Sequence, residues 1–84
     1  MSRQIRSLIA GVEVLTVPVE SLSDTDDLFD AGLTSLGAVE LLMSIEEAYE
    51  IEFPEAMLER ETVATIAALT RAIASLGGGS AAVG

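Results

Sequence analysis

The sequence contains no cysteine, no histidine and no lysine among its 84 residues. Without cysteine, the chain can form neither a disulfide framework nor a thiolate metal site. Without histidine, it lacks the commonest general base and the commonest metal ligand. Most routes to side-chain catalysis are therefore closed. We predict a protein that is not an enzyme, with no catalytic residues and no metal site.

Positive charge is also scarce. Four arginines stand against 14 carboxylates, which gives a formal net charge of −10. Every charged side chain from Glu13 to Glu59 is an acid, thirteen in all. Such a chain has no basic face for nucleic acid and is repelled by anionic membranes, so neither is expected as a partner. The charge instead favours partner proteins with basic surfaces, drawn in by an attraction that salt weakens.

Long hydrophobic runs are missing as well. No apolar run approaches the roughly 20 residues that span a bilayer, and the first residues lack the apolar region of a secretory signal. Together with the absence of cysteine, this predicts a cytoplasmic protein. The length predicts one domain, which we expect to be monomeric. Half of the residues are hydrophobic but only 4% are aromatic, so the core must be mainly aliphatic.

Apolar residues recur at helical spacing in three places. The pattern predicts a first helix over about residues 2–15, a second over 35–50 and a last over 62–76. Thr62 is the predicted N-cap of the last helix because threonine oxygens accept hydrogen bonds from first-turn amides. A single helical turn is predicted at 55–59, after a proline suited to a helix start.

The connection between the first two helices is long, covering about residues 16–34. It is rich in serine, threonine and aspartate, which favour turns and caps. Leu28 and Phe29 are expected to pin it to the core. We predict an all-α fold, a small four-helix bundle with a long first loop and a short third helix. Residues 1–76 would form the domain and residues 77–84 a flexible tail rich in Gly and Ala.

The second predicted helix has two apolar faces. One is assigned to the core and contains Leu41, Leu42, Ile45 and Tyr49. The other has no obvious internal partner and contains Leu36, Val39 and Met43. Carboxylates accompany this second face, at Glu40, Glu46 and Glu47. Mixed apolar and acidic faces are typical of docking surfaces, although a merely solvated acidic face remains the alternative.

Ser35 stands where the acidic loop turns into the second helix. A helix N-terminus offers unpaired amides and the positive end of the backbone dipole. Ser35 is therefore either a cap, or the neighbour of a Thr34 cap, or a hydroxyl that carries a phosphate ester close to that positive end. Gly37 follows in the first turn, where glycine weakens a helix. It either lets a partner approach closely or has no effect.

A longer pattern surrounds Ser35. The chain reads DLFDAGLTSL at residues 27–36, then VEL at 39–41 and IEEAY at 45–49. This spaced set, in a chain of this length and acidity, resembles the signature of acyl and peptidyl carrier proteins. The resemblance extends roughly from Ile5 to Leu76. It implies a bundle of the acyl-carrier-protein type.

The resemblance implies a function for each part of the pattern. Ser35 would be esterified to 4′-phosphopantetheine by a phosphopantetheinyl transferase, and the thiol of this arm would carry an acyl or aminoacyl group as a thioester. The residues matching the turn before the serine are Asp30, Gly32, Leu33 and Thr34. Partner enzymes would dock on the mixed face of the second helix. These partners would be a loading ligase or acyltransferase and downstream transfer enzymes with basic surfaces.

Thr34 departs from the pattern, because many fatty-acid carriers have aspartate before the serine. This departure mildly favours a specialised branch of the family. Two kinds of carrier stay open: an acyl carrier for fatty-acid or polyketide-like chemistry, and an aminoacyl carrier loaded by an adenylating or synthetase-like amino acid:carrier protein ligase. From another class, an unmodified acidic helical adaptor that binds a basic protein also stays open.

The first loop carries four aspartates that invite comparison with a calcium-binding loop. Counted from Asp24, the fifth, sixth and twelfth positions are Leu28, Phe29 and Ser35. A calcium loop of the EF-hand type requires an oxygen ligand, a glycine and a glutamate there. We therefore predict a solvated acidic loop and no metal site.

Overall fold

The computed structural model describes residues 2–77, which contain four α-helices and no β-strand. The helices are α1 (Ser2–Val12), α2 (Ser35–Tyr49), α3 (Arg60–Val63) and α4 (Ile66–Ser75). Two single turns of 3₁₀ helix lie in the connections, at Val19–Ser21 and Glu55–Met57. The predicted all-α fold with a long first loop and a short third helix is confirmed.

Helix α1 ends at Val12, about three residues before the predicted end at Leu15. Glu13 adopts a left-handed conformation with φ of 52°, which turns the chain out of the helix. Val14 and Leu15 then pack against the core from the loop. The helical spacing of apolar residues in the sequence therefore continues past the end of the helix, because the helix and the loop after it cover the same core.

The core lies between α1, α2 and α4. Its completely or almost completely buried large side chains come from all three helices and from the first loop: Ile5, Ile9, Leu28, Leu41, Ile45, Ile66, Leu69 and Ile73. The predicted inward side of α2 is confirmed, with Leu41, Ile45 and Tyr49 buried and Leu42 partly buried against them. Burial of these aliphatic groups is the main stabilising contribution, at about 25 cal/mol per Å².

The first loop is fixed to the rest of the bundle at several points. Leu28 is fully buried, and its backbone N–H donates to the Ala64 carbonyl at 2.7 Å. The Asp24 carbonyl accepts from Ala67 N–H at 2.9 Å. Arg6 of α1 also contacts the loop, donating to the Asp24 carboxylate at 2.7 Å. The prediction that Leu28 and Phe29 pin this loop is confirmed, since Leu28 is buried in the core and Phe29 packs against it. The end of the loop is thereby held in place.

The last helix begins later than predicted. Thr62 lies inside α3, and the N-cap of α4 is Thr65, whose side chain accepts from Ala68 N–H at 2.9 Å. The predicted N-cap at Thr62 is therefore wrong. The predicted turn at 55–59 is the 3₁₀ turn Glu55–Met57, and the short third helix α3 follows it. Apart from Gly77, the predicted tail at 77–84 lies outside the described residues.

Candidate functional site

Helix α2 begins with a capping threonine. Thr34 is extended, with φ of −107° and ψ of 169°, and its hydroxyl oxygen accepts from Gly37 N–H at 3.0 Å. Its carbonyl accepts from Ala38 N–H at 2.8 Å. This is the geometry of an N-cap, which satisfies first-turn amides that have no partner within the helix. The cap is therefore Thr34 and not Ser35.

Ser35 is the first residue of α2, and its side chain is exposed. Among residues 2–77, no group forms a hydrogen bond with the Ser35 hydroxyl. The capping role belongs to its neighbour, so this hydroxyl is free to react. Its position beside the first-turn amides also suits an anionic substituent, because the helix dipole is positive there.

The turn before Ser35 depends on Gly32. Its φ of 109° is one that glycine adopts readily, and a Cβ there would lie 2.7–2.8 Å from Thr16 atoms. Thr16 N–H and the Thr16 hydroxyl both donate to the Ala31 carbonyl at 2.9 Å. Leu33 is buried, with 4% of its surface exposed, and anchors the turn in the core. Asp30 is exposed at the surface of the turn.

Gly37 has a packing role that neither sequence-based alternative included. It is buried, and a Cβ there would lie 3.2 Å from Val14 side-chain atoms. Val14, in the segment after α1, covers this side of the first turn. Gly37 therefore brings α2 close to the first loop, and it is not a point of partner approach.

The outward face of α2 is apolar and exposed. The exposed fractions are 71% for Leu36, 53% for Val39 and 62% for Met43. Glu40 and Glu47 are exposed on the same helix. Monomeric proteins seldom leave three neighbouring large apolar side chains in water, so this surface has the composition of a contact site. We call Leu36, Val39, Glu40, Met43 and Glu47 the outward face.

Glu46 differs from the other two predicted docking carboxylates. It is half-buried, and its Oε2 accepts from Phe53 N–H at 2.8 Å. This bond joins α2 to the extended link before Pro54. Glu46 therefore has a structural contact that Glu40 and Glu47 do not have in the described part of the chain. Its substitution would disturb the link as well as any docking.

A groove of about 560 Å³ runs from Ser35 between α2 and the segment around α3. Its apolar wall includes Val39, Leu42, Met43, Phe53, Leu58 and Val63. Leu58 is 54% exposed, and the Arg60 guanidinium lies 4.0 Å from the centre of the Phe29 ring. The sequence did not predict the groove, Leu58 or Arg60 as parts of the site, because they meet Ser35 only through tertiary packing.

The acids of the first loop shape its backbone. Asp26 Oδ2 accepts from Ser23 N–H and Asp27 Oδ1 from Phe29 N–H, both at 2.8 Å. The described residues contain no group of three or more acids placed to hold a metal ion. These carboxylates therefore act as turn-stabilising acceptors, in keeping with the turn chemistry of aspartate.

Glu59 and Tyr49, both in the described part of the chain, have shifted pKa values. A hydrogen bond with Glu61, together with the repulsion between the two carboxylates, raises the pKa of Glu59. Burial raises the pKa of Tyr49 at the end of α2, where its hydroxyl has no hydrogen-bond partner among residues 2–77. Neither group contacts Ser35 in a way that would activate its hydroxyl.

The arrangement fits a covalently tethered prosthetic group. Ser35 offers an exposed hydroxyl that forms no hydrogen bond within residues 2–77, at the positive end of a helix, and a groove of about 560 Å³ lies beside it. A small helical bundle that presents such a serine next to an exposed apolar face fits the class of carrier domains that the resemblance implies. No described helix has the length and apolar composition that crossing a membrane requires.

Comparison with known proteins gives the family. Residues 3–73 match the family model for the phosphopantetheine attachment site. An aminoacyl carrier protein from Agrobacterium fabrum is 42% identical over 69 residues, covering 82% of this chain and 83% of that protein. An acyl carrier protein from Streptomyces coelicolor is 41% identical over 85 residues, covering 93% of this chain and 87% of that protein.

Solved structures agree with this result. One similar chain comes from a crystal structure of an engineered Bradyrhizobium japonicum glycine:[carrier protein] ligase complexed with carrier protein from Agrobacterium tumefaciens and ATP. The TM-score is 0.84 at 38% identity, covering 88% of this chain and 96% of that chain. The chain belongs to the phosphopantetheine-attachment family. It is a carrier protein whose prosthetic group is covalent 4′-phosphopantetheine.

Proposed function

We propose that this protein is a stand-alone aminoacyl carrier whose 4′-phosphopantetheine arm is attached to the Ser35 hydroxyl. The observation that carries the proposal is that Thr34 caps α2 and leaves Ser35 exposed without a hydrogen bond. When bound, the arm supplies a thiol that holds the cargo as a thioester. The protein itself presents the loaded arm and performs no catalysis.

The turn before Ser35 fixes where the arm leaves the protein. Gly32 and buried Leu33 hold the backbone, Thr34 starts the helix, and Asp30 adds negative charge at the surface of the turn. The phosphate ester would lie beside the first amides of α2, where the helix dipole favours an anion. A phosphopantetheinyl transferase must reach this exposed end of the helix to attach the arm.

The outward face of α2 is the proposed docking site for partner enzymes. Its apolar side chains would pack against the partner, while Glu40 and Glu47 would attract a basic surface. Glu46 contributes negative charge near the same site, although its carboxylate also bonds to Phe53. The loading ligase, the transferase and downstream transfer enzymes would use this face in turn.

The relatives support two kinds of cargo. The aminoacyl carrier from Agrobacterium fabrum and the carrier in the ligase complex both support an amino acid as cargo and an amino acid:carrier protein ligase as loading enzyme. The similarity to an acyl carrier from Streptomyces coelicolor supports an acyl cargo as the second candidate. A monomeric state and a cytoplasmic location stay predictions, as do the limits of the domain at 1–76 and the flexible tail.

Attachment is tested by intact-mass measurement after coexpression with a broad-specificity phosphopantetheinyl transferase. We expect the wild type to gain the mass of the arm and Ser35→Ala to gain nothing. Ser44→Ala is the matched control, because Ser44 is half-buried on the same helix and lies outside the turn. It should be modified like the wild type. No mass gain with several transferases would support the unmodified adaptor instead.

Cargo is tested with the modified protein. Incubation with a glycine:[carrier protein] ligase, glycine and ATP should add the mass of a glycyl group, and hydroxylamine should remove it because it cleaves thioesters. The same protein offered to a fatty-acyl carrier ligase should load poorly. Preferential loading with a fatty acid would favour the acyl carrier.

A further inference from the structure

Arg60 is an isolated positive charge in an acidic site. It is the first base in the sequence after Arg6, and it lies on the same groove as Ser35. Glu46 and Glu59 also line this groove. Among the described lining residues, Arg60 is the only base, so it is the one side chain there that can offset added negative charge.

The guanidinium is held in place and is not neutralised. It stacks over the Phe29 ring at 4.0 Å from the ring centre, a contact that suits the flat guanidinium group. No carboxylate within residues 2–77 forms an ion pair with it, although Glu59 and Glu61 are its neighbours in sequence. Those two glutamates interact with each other. The hydrogen-bonding edges of the guanidinium are therefore available to an anion.

The proposed function adds an anion to this groove. Attachment of the arm at Ser35 places a phosphodiester in a protein whose net charge is already −10. An arginine is well suited to bind phosphate oxygens, often through two parallel hydrogen bonds. Arg60 is on the α3 wall of the groove, whereas the amides at the start of α2 are on the other wall.

We propose that Arg60 is a positioning residue that binds the phosphodiester of the arm and holds it against the groove. This inference rests on the proposed attachment at Ser35. The stack on Phe29 keeps the guanidinium in position before modification. The Arg60 side chain therefore loses little conformational entropy when it binds the phosphate. A purely structural role, in which Arg60 only joins α3 to the first loop, is the alternative.

The test compares thermal unfolding of the unmodified and the modified protein. Modification shifts the Tm of each protein, and at low salt this shift should be about 2–4 °C less favourable for Arg60→Gln than for the wild type. The variant lacks the partly exposed contact between the guanidinium and the phosphate. Arg60→Lys should retain most of the wild-type behaviour. Arg71→Gln is the matched control, because it removes an exposed arginine of α4 that does not line the groove. It should respond to modification as the wild type does.

Two further readouts complete the test. About 1 M salt should abolish the difference between Arg60→Gln and the wild type, since the Debye length is then only about 3 Å. The Nε–Hε NMR signal of Arg60, but not that of Arg71, should move on modification. If Arg60→Gln lowers Tm equally in both forms, or if the Arg60 signal does not move, the inference is wrong. Failure of the attachment itself would appear earlier, as an unchanged mass.

Discussion

The two faces of α2 have similar side chains and opposite surroundings. The inward face buries Leu41 and Ile45 completely, whereas Leu36 and Met43 on the outward face are 71% and 62% exposed. Hydrophobic content therefore does not separate core from docking site in this helix. What separates them is the neighbourhood: one face belongs to the core shared with α1, α4 and the first loop, and exposed carboxylates accompany the other. One face maintains the fold, and the other is the proposed docking site.

The largest expected effect is a difference in stability between the faces. Leu41→Ala should lower the free energy of unfolding by about 3 kcal/mol, because it leaves a cavity in a fully packed core. Met43→Ala, the matched change on the outward face, should alter it by less than about 0.5 kcal/mol. Urea denaturation followed by circular dichroism measures both. Equal losses would mean that Met43 packs against the protein and that the outward face is not free.

The next effect is on binding. Glu40→Lys combined with Glu47→Lys should raise the Kd for the loading ligase about tenfold at low salt, because opposite charge is replaced by like charge on the outward face. Glu13→Lys combined with Glu20→Lys makes the same total change in charge outside α2. It should leave Kd close to that of the wild type. Isothermal titration at two salt concentrations measures the Kd values. If both charge changes weakened binding equally, the net charge of the protein, and not the outward face, would determine docking.

A smaller effect distinguishes the two hydroxyls at the start of the helix. Thr34→Ala should cost about 1 kcal/mol of stability, because it removes the cap that accepts from Gly37 N–H. Ser35→Ala should leave stability within about 0.5 kcal/mol of the wild type. The same urea experiment measures the pair. A larger loss for Ser35→Ala would assign the capping role to Ser35 and remove the argument that its hydroxyl is free.

The smallest effect concerns exposed charge outside α2. Because Glu61 raises the pKa of Glu59 in the folded protein, ionising Glu59 at neutral pH opposes folding. This penalty is lost as pH falls through the raised pKa and Glu59 takes up a proton. Glu61→Gln should therefore raise Tm slightly at pH 7, and the gain should shrink as the solution is acidified. A gain that is constant with pH would show that repulsion between these carboxylates is not its cause.

Local periodicity predicted α2 well. Its start near Ser35 and its two apolar faces follow from side-chain spacing along one helix, whereas the assignment of one face to the core and the other to partners rested partly on the resemblance to carrier proteins. The resemblance also pointed to Gly32 as the turn glycine, and its φ is 109°. The helix start and the spacing of its apolar side chains are determined by residues close together in the sequence, which is where pattern-based reasoning is informative.

Features that depend on distant contacts were not predicted. Thr62 and Thr65 both precede apolar residues, so either could cap the last helix. Hydrogen bonds from the first loop decide between them, because Leu28 and Asp24 bond to the backbone at Ala64 and Ala67. These bonds fix the break between α3 and α4 and place the cap at Thr65. Arg60 was missed for the same reason, since only the folded chain brings it over Phe29.

The central claim is that the arm is attached to the Ser35 hydroxyl and to no other. The most direct measurement is fragmentation mass spectrometry of the modified protein, which assigns the added mass to one residue of the peptide containing Thr34, Ser35 and Ser44. The account predicts that all of the arm is on Ser35 and that Thr34→Ala protein is still modified there. An arm found on Thr34 or Ser44, or a Ser35→Ala variant that is modified normally, would contradict it.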